Sequence, residues 1–433
     1  MTEKFDSIVV GAGPAGIAAA YTMAKAGLNV VMIERGDHPG AKNVMGGVLY
    51  RQPTEELFPE FWKADDVPLE RHLVEQRVWV LDEDSAVTMG YKTQNYGEEP
   101  YNNFTVIRGR FDRWLADRAV EAGALLITET VVEEFLYDGD KVIGVRTGRD
   151  QGDLHADVVI CAEGVNSLLT QKAGLQKHIA TDKIAVAVKE NIALPKGVIE
   201  DRFNIEGDQG ATIELVGNNT LGMLGTGFIY TNKDSLSVGV GAILSQVAEN
   251  GIAPYQLLEH MKKHPMVKPL LQGGEIKEYL AHLIPEGGYD YVPKLYADGL
   301  MIVGDAAMLC NGFHREGSNL AMTSGRFAAE TVIEAKEQED YSVKVLSKYK
   351  KKLEDSFVLK DLKKYRHAGS FFEANPHFFT SYPGLLNYAA KELTTVDSTP
   401  KREKQQKIIR KVKKERSLYN ISKDLFRAWR VMG

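Results

Sequence analysis

Cysteine is nearly absent: the 433-residue chain holds two, Cys161 and Cys310, set 149 positions apart. No disulfide framework is expected from such a pair, and a reducing, cytoplasmic setting is. A common iron–sulfur cluster needs about four thiolates, so the chain does not supply one by itself. Long apolar runs are missing as well. The uncharged stretch from Ile8 to Ala24 is broken by Gly11, Gly13, Pro14 and Gly16, which suits a strand–turn–helix junction and not a membrane span. The N-terminus lacks a secretory pattern, and no transmembrane helix is expected. There are no repeats, no low-complexity segment longer than the basic tail, and no cluster of residues spaced to hold a metal.

Charge is unevenly spread. The last 33 residues carry 12 Lys/Arg against 3 Asp/Glu, whereas the first 400 carry 41 against 56. A basic tail on an acidic body suggests an anionic partner or a membrane surface, and the body gives no support for nucleic-acid binding.

The opening FDSIVVGAGPAGIAAAYTMAKAGLNVVMIER reads as strand, glycine turn, helix and strand. Gly11 permits the tight turn, Gly13 admits a pyrophosphate, and Gly16 lets the helix pack on the strand. Ala15 sits in the same turn, at the helix N-terminus that offers amides to phosphate. Glu34 ends the second strand, where a carboxylate can accept from ribose hydroxyls, and Arg35 beside it can reach adenine or a phosphate.

Two later stretches favour FAD over NAD: DVVICAEGVNS (157–167) and LYADGLMIVGDAAML (295–309). The second resembles FAD enzymes of the glutathione-reductase and hydroxylase superfamily. That likeness makes Asp305, after Gly304, the candidate for the ribityl chain, although a helix-capping role is compatible. A long helix is expected to begin near Gly317 and to aim its amides at the flavin's pyrimidine edge. No second GxGxxG is present, so a separate nicotinamide domain is not expected.

The expected fold class is α/β: a Rossmann-like FAD-binding domain of the glutathione-reductase/hydroxylase type, with an inserted β-rich substrate domain and a helical C-terminal region. The FAD domain is assembled from residues 1–75, 104–180 and 286–340. Residues 76–103 and 181–285 form the β-rich domain, with strand-like runs such as VWVL, AVTMGY, IAVAVKENIAL, TLGMLGTGFIY and LSVGVGAIL. Residues 341–433 are helical, basic, and suited to membrane or partner contact.

The strings AKNVMGGVLY, VIRGRFDRWLADRAVEAGA and HREGSNLAMTSG, with Gly304-Asp305, resemble the electron-transfer flavoprotein–quinone oxidoreductases. The likeness is greatest to their short FixC type, within the geranylgeranyl-reductase-like flavoproteins. It implies that Gly11, Gly13, Gly16, Glu34, Arg35, Gly46, Gly47, Arg110, Gly164, Gly304, Asp305, Gly317 and Asn319 lie in FAD-contacting segments. Arg108 and Arg110 flank a glycine before a helix, and either can reach the flavin or pair at the surface. Longer members of the family carry four cysteines for a 4Fe-4S cluster, and none follows Cys310 here. The likeness therefore implies a small ferredoxin-like iron–sulfur partner beside electron-transfer flavoprotein subunits in an electron-bifurcating complex. It also implies a membrane quinone as acceptor, with the chain held peripherally on the inner face of the cell membrane.

No nucleophile–base set stands out, as expected for electron transfer. His314 and Glu316 are candidates for passing protons to a quinone oxygen. Cys310 reads as a packed side chain. The aromatic segment 367–390 suits either a bilayer face or the core, and the stripe Leu418, Ile421, Leu425, Trp429, Met432 suits a membrane or a partner. Three alternatives remain open: a prenyl-lipid reductase, a flavin hydroxylase, and a non-catalytic FAD-binding assembly subunit.

Overall fold

In the computed structural model of the protein, residues 4–42 and 47–433 are described; Gly46 lies outside them. The chain forms two compact units. One comprises Met1–Glu70, Asn102–Ile184 and His282–Arg366; the other Arg71–Tyr101, Ala185–Ala281 and His367–Gly433.

The first unit is built on a mainly parallel sheet. Leu300–Ile302, Asp153–Cys161, Lys4–Val10, Val30–Ile33 and Leu125–Ile127 lie side by side in that order, and Tyr296–Ala297 adds an antiparallel edge. The central strands are buried along their length, which accounts for their unbroken Val/Ile composition. Their pairing puts Val10 opposite both Ile33 and Cys161, and Cys161 opposite Ile302. The carboxyl ends of these strands therefore finish level, which is where open parallel sheets bind ligands.

The first helix, Pro14–Lys25, packs on this sheet, and Gly27 ends it at φ +82°. Its closeness to its neighbours depends on missing side chains. A Cβ on Gly16 would stand 2.0 Å from the Gly11 carbonyl oxygen, and one on Gly325 would stand 2.0 Å from that of Ala15. The long helix starts at Ser318, as the sequence predicts, and runs to Glu337.

The second unit is a largely antiparallel sheet. Glu275–Pro285, Ile184–Ala193, Ser235–Ile243, Gly225–Thr231 and Gln209–Gly217 follow one another, and Leu69–Leu81 pairs in parallel with the last. The strand-like runs of the sequence fall on these elements and on Ala86–Lys92, which pairs antiparallel with Leu69–Leu81, apart from the start of one. The first residues of TLGMLGTGFIY form a turn, in which Leu221 takes φ +54°, and the strand begins at Gly225. Leu215, Val240, Met261 and Phe203 form part of the core between the sheet and its covering helices.

Arg71 is buried in this unit and ties its loops together. Its guanidinium donates to the carbonyls of Asn232 (2.7 Å), Gly207 (3.0 Å), Gln209 (2.8 Å) and Lys233 (3.3 Å). The helices from His367 onward belong here too. Asn387, on the helix Ser381–Thr394, donates to the Val80 carbonyl at 2.9 Å. Asp424, on the last helix Leu418–Met432, gathers Tyr382 (2.6 Å), Arg416 (2.5 Å) and His377 (3.1 Å). This anchor buries one side of the last helix and leaves Tyr419, Leu425, Phe426 and Trp429 exposed. Among the described residues, no helix is long and apolar enough to cross a membrane.

Replacing Arg71 by an apolar residue removes one buried donor group from four carbonyls at once. Arg71→Leu is expected to lower stability by on the order of 3 kcal/mol, read as a shifted denaturant midpoint at unchanged slope. A shift within error would show that water takes over these carbonyls without cost.

Candidate cofactor site

The level strand ends place four short segments together in the first unit. Gly11 follows Val10, Glu34 follows Ile33, Ala162–Gly164 follow Cys161, and Val303–Asp305 follow Ile302. Gly11 takes φ +100°, and a Cβ there would meet the Ala162 oxygen at 2.4 Å, so two of these segments touch through a glycine.

Gly13 behaves differently from its neighbours. A Cβ there would meet nothing within 4 Å, so the space in front of it is not required by the protein's own packing. Pro14 and Ala15 open the helix beyond it, and the first amides of a helix lack intrahelical acceptors. That open cradle, faced by amides, fits a pyrophosphate.

Glu34 is fixed by the turn it serves. Its carboxylate accepts from the Ala12 amide (3.0 Å) and the Gly36 amide (2.7 Å). Two amides leave a carboxylate with acceptor capacity to spare, which suits ribose hydroxyls. Arg35 is exposed beside it.

Gly304 takes φ +62° and comes within side-chain distance of Ala15, where a Cβ would stand 2.9 Å from the Ala15 Cβ. Its amide donates to Ser324 Oγ at 3.0 Å, which ties the turn to the long helix. Burial raises the Asp305 carboxyl to about 6, with the Arg108 charge acting in the opposite sense. A carboxyl raised by burial in the protein alone fits a side chain that meets a ligand hydroxyl.

The two arginines at the start of the helix Arg108–Glu121 part ways. Arg108 is buried, pairs with Asp112 through two bonds of 2.7 and 2.8 Å, and acts electrostatically on Asp305. Arg110 is exposed and lies 3.5 Å from Glu70. Arg108 is thus the arginine that the fold brings to Asp305. Gly164, at φ +77°, follows the Cys161 strand, and Gly47 is buried and accepts from the Val106 amide at 2.9 Å.

Gly317 caps the long helix, and Asn319 lies buried in its first turn. The Oδ1 atom of Asn319 is buried without a hydrogen-bond partner among the described residues. An orphaned polar atom beside a helix N-terminus fits the polar edge of a flavin. The preceding loop is closed by Asn311 and Glu316, which exchange backbone hydrogen bonds of 2.8 and 3.1 Å. Burial is the main reason that Glu316 is raised; Asp361 adds to it, while Asn319, Asn311 and Arg315 oppose. His314 is exposed and sits edge-on to Tyr365, ring centres 4.7 Å apart. Burial, then Lys364, lowers its pKa, against Asp361.

Two residues outside the expected set belong to the same surroundings. His282, near the end of the strand Glu275–Pro285, is held neutral by burial and by the charges of Arg108 and Arg35, with its pKa lowered to about 4. Glu286 follows that strand, and burial raises its carboxyl to about 7. The string LIPEGG carried the signal for Glu286: an acid between an apolar strand and two glycines.

Comparison with known proteins agrees with this arrangement. The FAD binding domain profile matches residues 4–195, and the profile of the ETF-QO/FixC family C-terminal domain matches residues 368–433. Protein FixC of Azotobacter vinelandii is 50% identical over 433 residues, covering 100% of both chains. Protein FixC of Azorhizobium caulinodans is 50% identical over 434 residues, covering 99% of each. A probable electron transfer flavoprotein-quinone oxidoreductase, YdiS of Escherichia coli K12, is 42% identical over 98% of this chain and 97% of its own. Among solved structures, a geranylgeranyl bacteriochlorophyll reductase-like protein of Thermoplasma acidophilum shares the fold. Its TM-score is 0.73 and its identity 22%, covering 98% of this chain and 99% of that one. The protein is an FAD-dependent oxidoreductase, and it belongs to the electron-transfer flavoprotein–quinone oxidoreductase (ETF-QO/FixC) family.

Proposed function

We propose that the protein takes electrons from electron-transfer flavoprotein or ferredoxin-like subunits and passes them to a membrane quinone. The observation that carries this reading is near-full-length identity both to FixC proteins and to a protein named as a probable quinone oxidoreductase. The cysteine content supports a separate iron–sulfur partner, because both thiols are buried and far apart in sequence. The basic helix Lys401–Glu415 and the exposed aromatic face of Leu418–Met432 support contact with a partner or an anionic membrane face. An electron-bifurcating complex held peripherally at the inner face of the cell membrane is part of the same reading.

Bound FAD supplies two-electron chemistry, and the polypeptide's task is to hold it, set its surroundings and manage protons. In this assignment Gly11, Gly13, Ala15 and Gly16 make room for the pyrophosphate, Glu34 holds the adenosine ribose, and Arg35 lies over the adenosine end. Asp305, set by Gly304, holds the ribityl chain, with Arg108 balancing its charge. Gly47, Gly164, Gly317 and Asn319 border the flavin, and Arg110 serves at the rim. Of the two proton candidates His314 and Glu316, His314 sits edge-on to the Tyr365 ring. FAD binding is assigned to residues 1–75, 104–180 and 286–340, and the quinone chamber to 76–103 and 181–285. Residues 341–433 are assigned to contact with membrane or partner.

Photoreduced holoprotein mixed anaerobically with a soluble menaquinone or ubiquinone analogue should be reoxidised rapidly, with a rate that saturates in quinone. No reaction with quinone, but slow reoxidation by a geranylgeranyl lipid, would replace this reading by the prenyl reductase.

Asp305 supplies a second test. Its folded carboxyl lies at about 6, above its ordinary 3.8, so the fold favours the protonated form. That contribution is complete below the ordinary value and is lost as pH rises through the folded one. Asp305→Asn should therefore stabilise the flavin-free protein near about pH 7.5, by on the order of 2 kcal/mol, and do little near about pH 4. The same substitution should weaken FAD binding. Equal melting temperatures for the two proteins at both pH values would contradict the assignment.

A further inference from the structure

Glu286 is a half-buried residue whose carboxyl has no role in the assignments so far. It stands four residues after His282, just past the end of the strand Glu275–Pro285. Its amide donates to the Lys183 carbonyl at 2.9 Å. Its carboxyl lies over Gly312: a Cβ on that glycine would stand 2.0 Å from Oε2 and 2.7 Å from Oε1. The carboxyl thus fills the place that a side chain at position 312 would take, within the loop that leads into the helix Ser318–Glu337. Gly287 is equally confined, since a Cβ there would meet Tyr291 Cβ at 2.6 Å and Met308 Cε at 2.9 Å. Two glycines in different segments let this acid approach the loop so closely.

The charged and titratable groups of its wider surroundings come from three segments. From 304–317 these are Cys310, Asp305 and Glu316; burial raises the Cys310 thiol first, followed by the charges of Glu286, Asp305 and Glu316. From 181–184 there is Lys183, whose ammonium pairs with Asp182 at 2.8 Å and lies 5.8 Å from the Tyr291 ring centre. From 289–291 there is Tyr291 itself. Desolvation is the cause of the Glu286 shift, and among the described residues no cation offsets it; the Lys183 ammonium is engaged with Asp182. Glu286 thus shares the surroundings of the Cys310 thiol with Asp305, assigned to the ribityl chain, and with Glu316 of the loop before the long helix.

We propose that Glu286 donates a proton to a quinone oxygen as the quinone is reduced, an inference that rests on the quinone reading above. Reduction to the quinol takes up two electrons and two protons. Reduced flavin gives both electrons and one proton, while the Glu286 O–H bond breaks and a quinol O–H bond forms. The flavin is oxidised, the quinone is reduced, and Glu286 is left as a carboxylate. A carboxylate without a cation in this setting is disfavoured, so it takes a proton back from solvent through its partly exposed side. An acid that titrates near the working pH is matched to such a task.

The test uses FAD-loaded full-length protein. Photoreduced wild type and Glu286→Gln are mixed anaerobically with decylubiquinone across about pH 5 to 9, and the pH-difference infrared spectrum of each oxidised protein is recorded. Wild type should slow as pH rises through about 7. Glu286→Gln should be slower by about a hundredfold at low pH, with that pH dependence gone. The infrared spectrum of wild type should lose a protonated carboxyl band over the same range, and Glu286→Gln should lack that band. If Glu286→Gln does not retain FAD, Glu286→Asp, which draws the acid back from Gly312, should keep the pH dependence at a reduced rate. Wild-type rates and an unchanged pH profile in Glu286→Gln, or in Glu286→Asp where it stands in, overturn the proposal. A wild type that does not react with quinone overturns the quinone reading and this role with it. The carboxyl band would then still report the acid, so the two failures are distinguishable.

Discussion

The close approach of the first helix to the strand beneath it and the long helix beside it governs the first unit. Gly16 against the Gly11 carbonyl and Gly325 against the Ala15 carbonyl leave no room for a methyl group at either place. The dispersion gained at such contacts is small atom by atom and large in sum, and it is lost over a gap of less than an ångström. Gly304 extends the same contact from the strand Leu300–Ile302 to Ala15. One tight seam therefore fixes the glycine turn, the Asp305 turn and the start of the long helix, three segments widely separated in sequence.

From that seam follows the character of the site. The level ends of the parallel strands bring backbone amides and a few polar side chains together at one edge of the sheet. Asp305 and Glu286 are both raised by burial, and His282 is held neutral by burial and by Arg108 and Arg35. Groups of this kind are unfavourable in a fold that never meets a ligand, so they mark where one is accommodated.

Much of this architecture was legible in the chain. The turn GAGPAG, its flanking strands and the acid at Glu34 obey local rules, because each residue's task is set by neighbours a few positions away. The long helix begins one residue past Gly317 for the same reason. Other features depend on distant partners. Arg71 serves carbonyls more than 130 positions later, and an arginine in an alternating strand otherwise reads as a surface charge. Arg108 and Arg110 could not be separated by type, yet Asp112 four residues after Arg108 marks the face on which the buried pair forms. TLGMLGTGFIY reads as a single strand until Leu221, in a left-handed conformation, shows where the turn ends. Glu286 went unnoticed because its partner, Gly312, stands 26 positions away and offers only space.

The central claim is that the open space at Gly13 exists for the dinucleotide. Titration of FAD into flavin-free Gly13→Ala tests it most directly, with the melting temperature of the same preparation measured alongside. The new methyl group would meet no protein atom within 4 Å. The account therefore predicts unchanged stability without FAD, and an affinity lower by about tenfold or more, equivalent to roughly 1.4 kcal/mol. An affinity equal to that of the wild type, in a protein of equal stability, would contradict it.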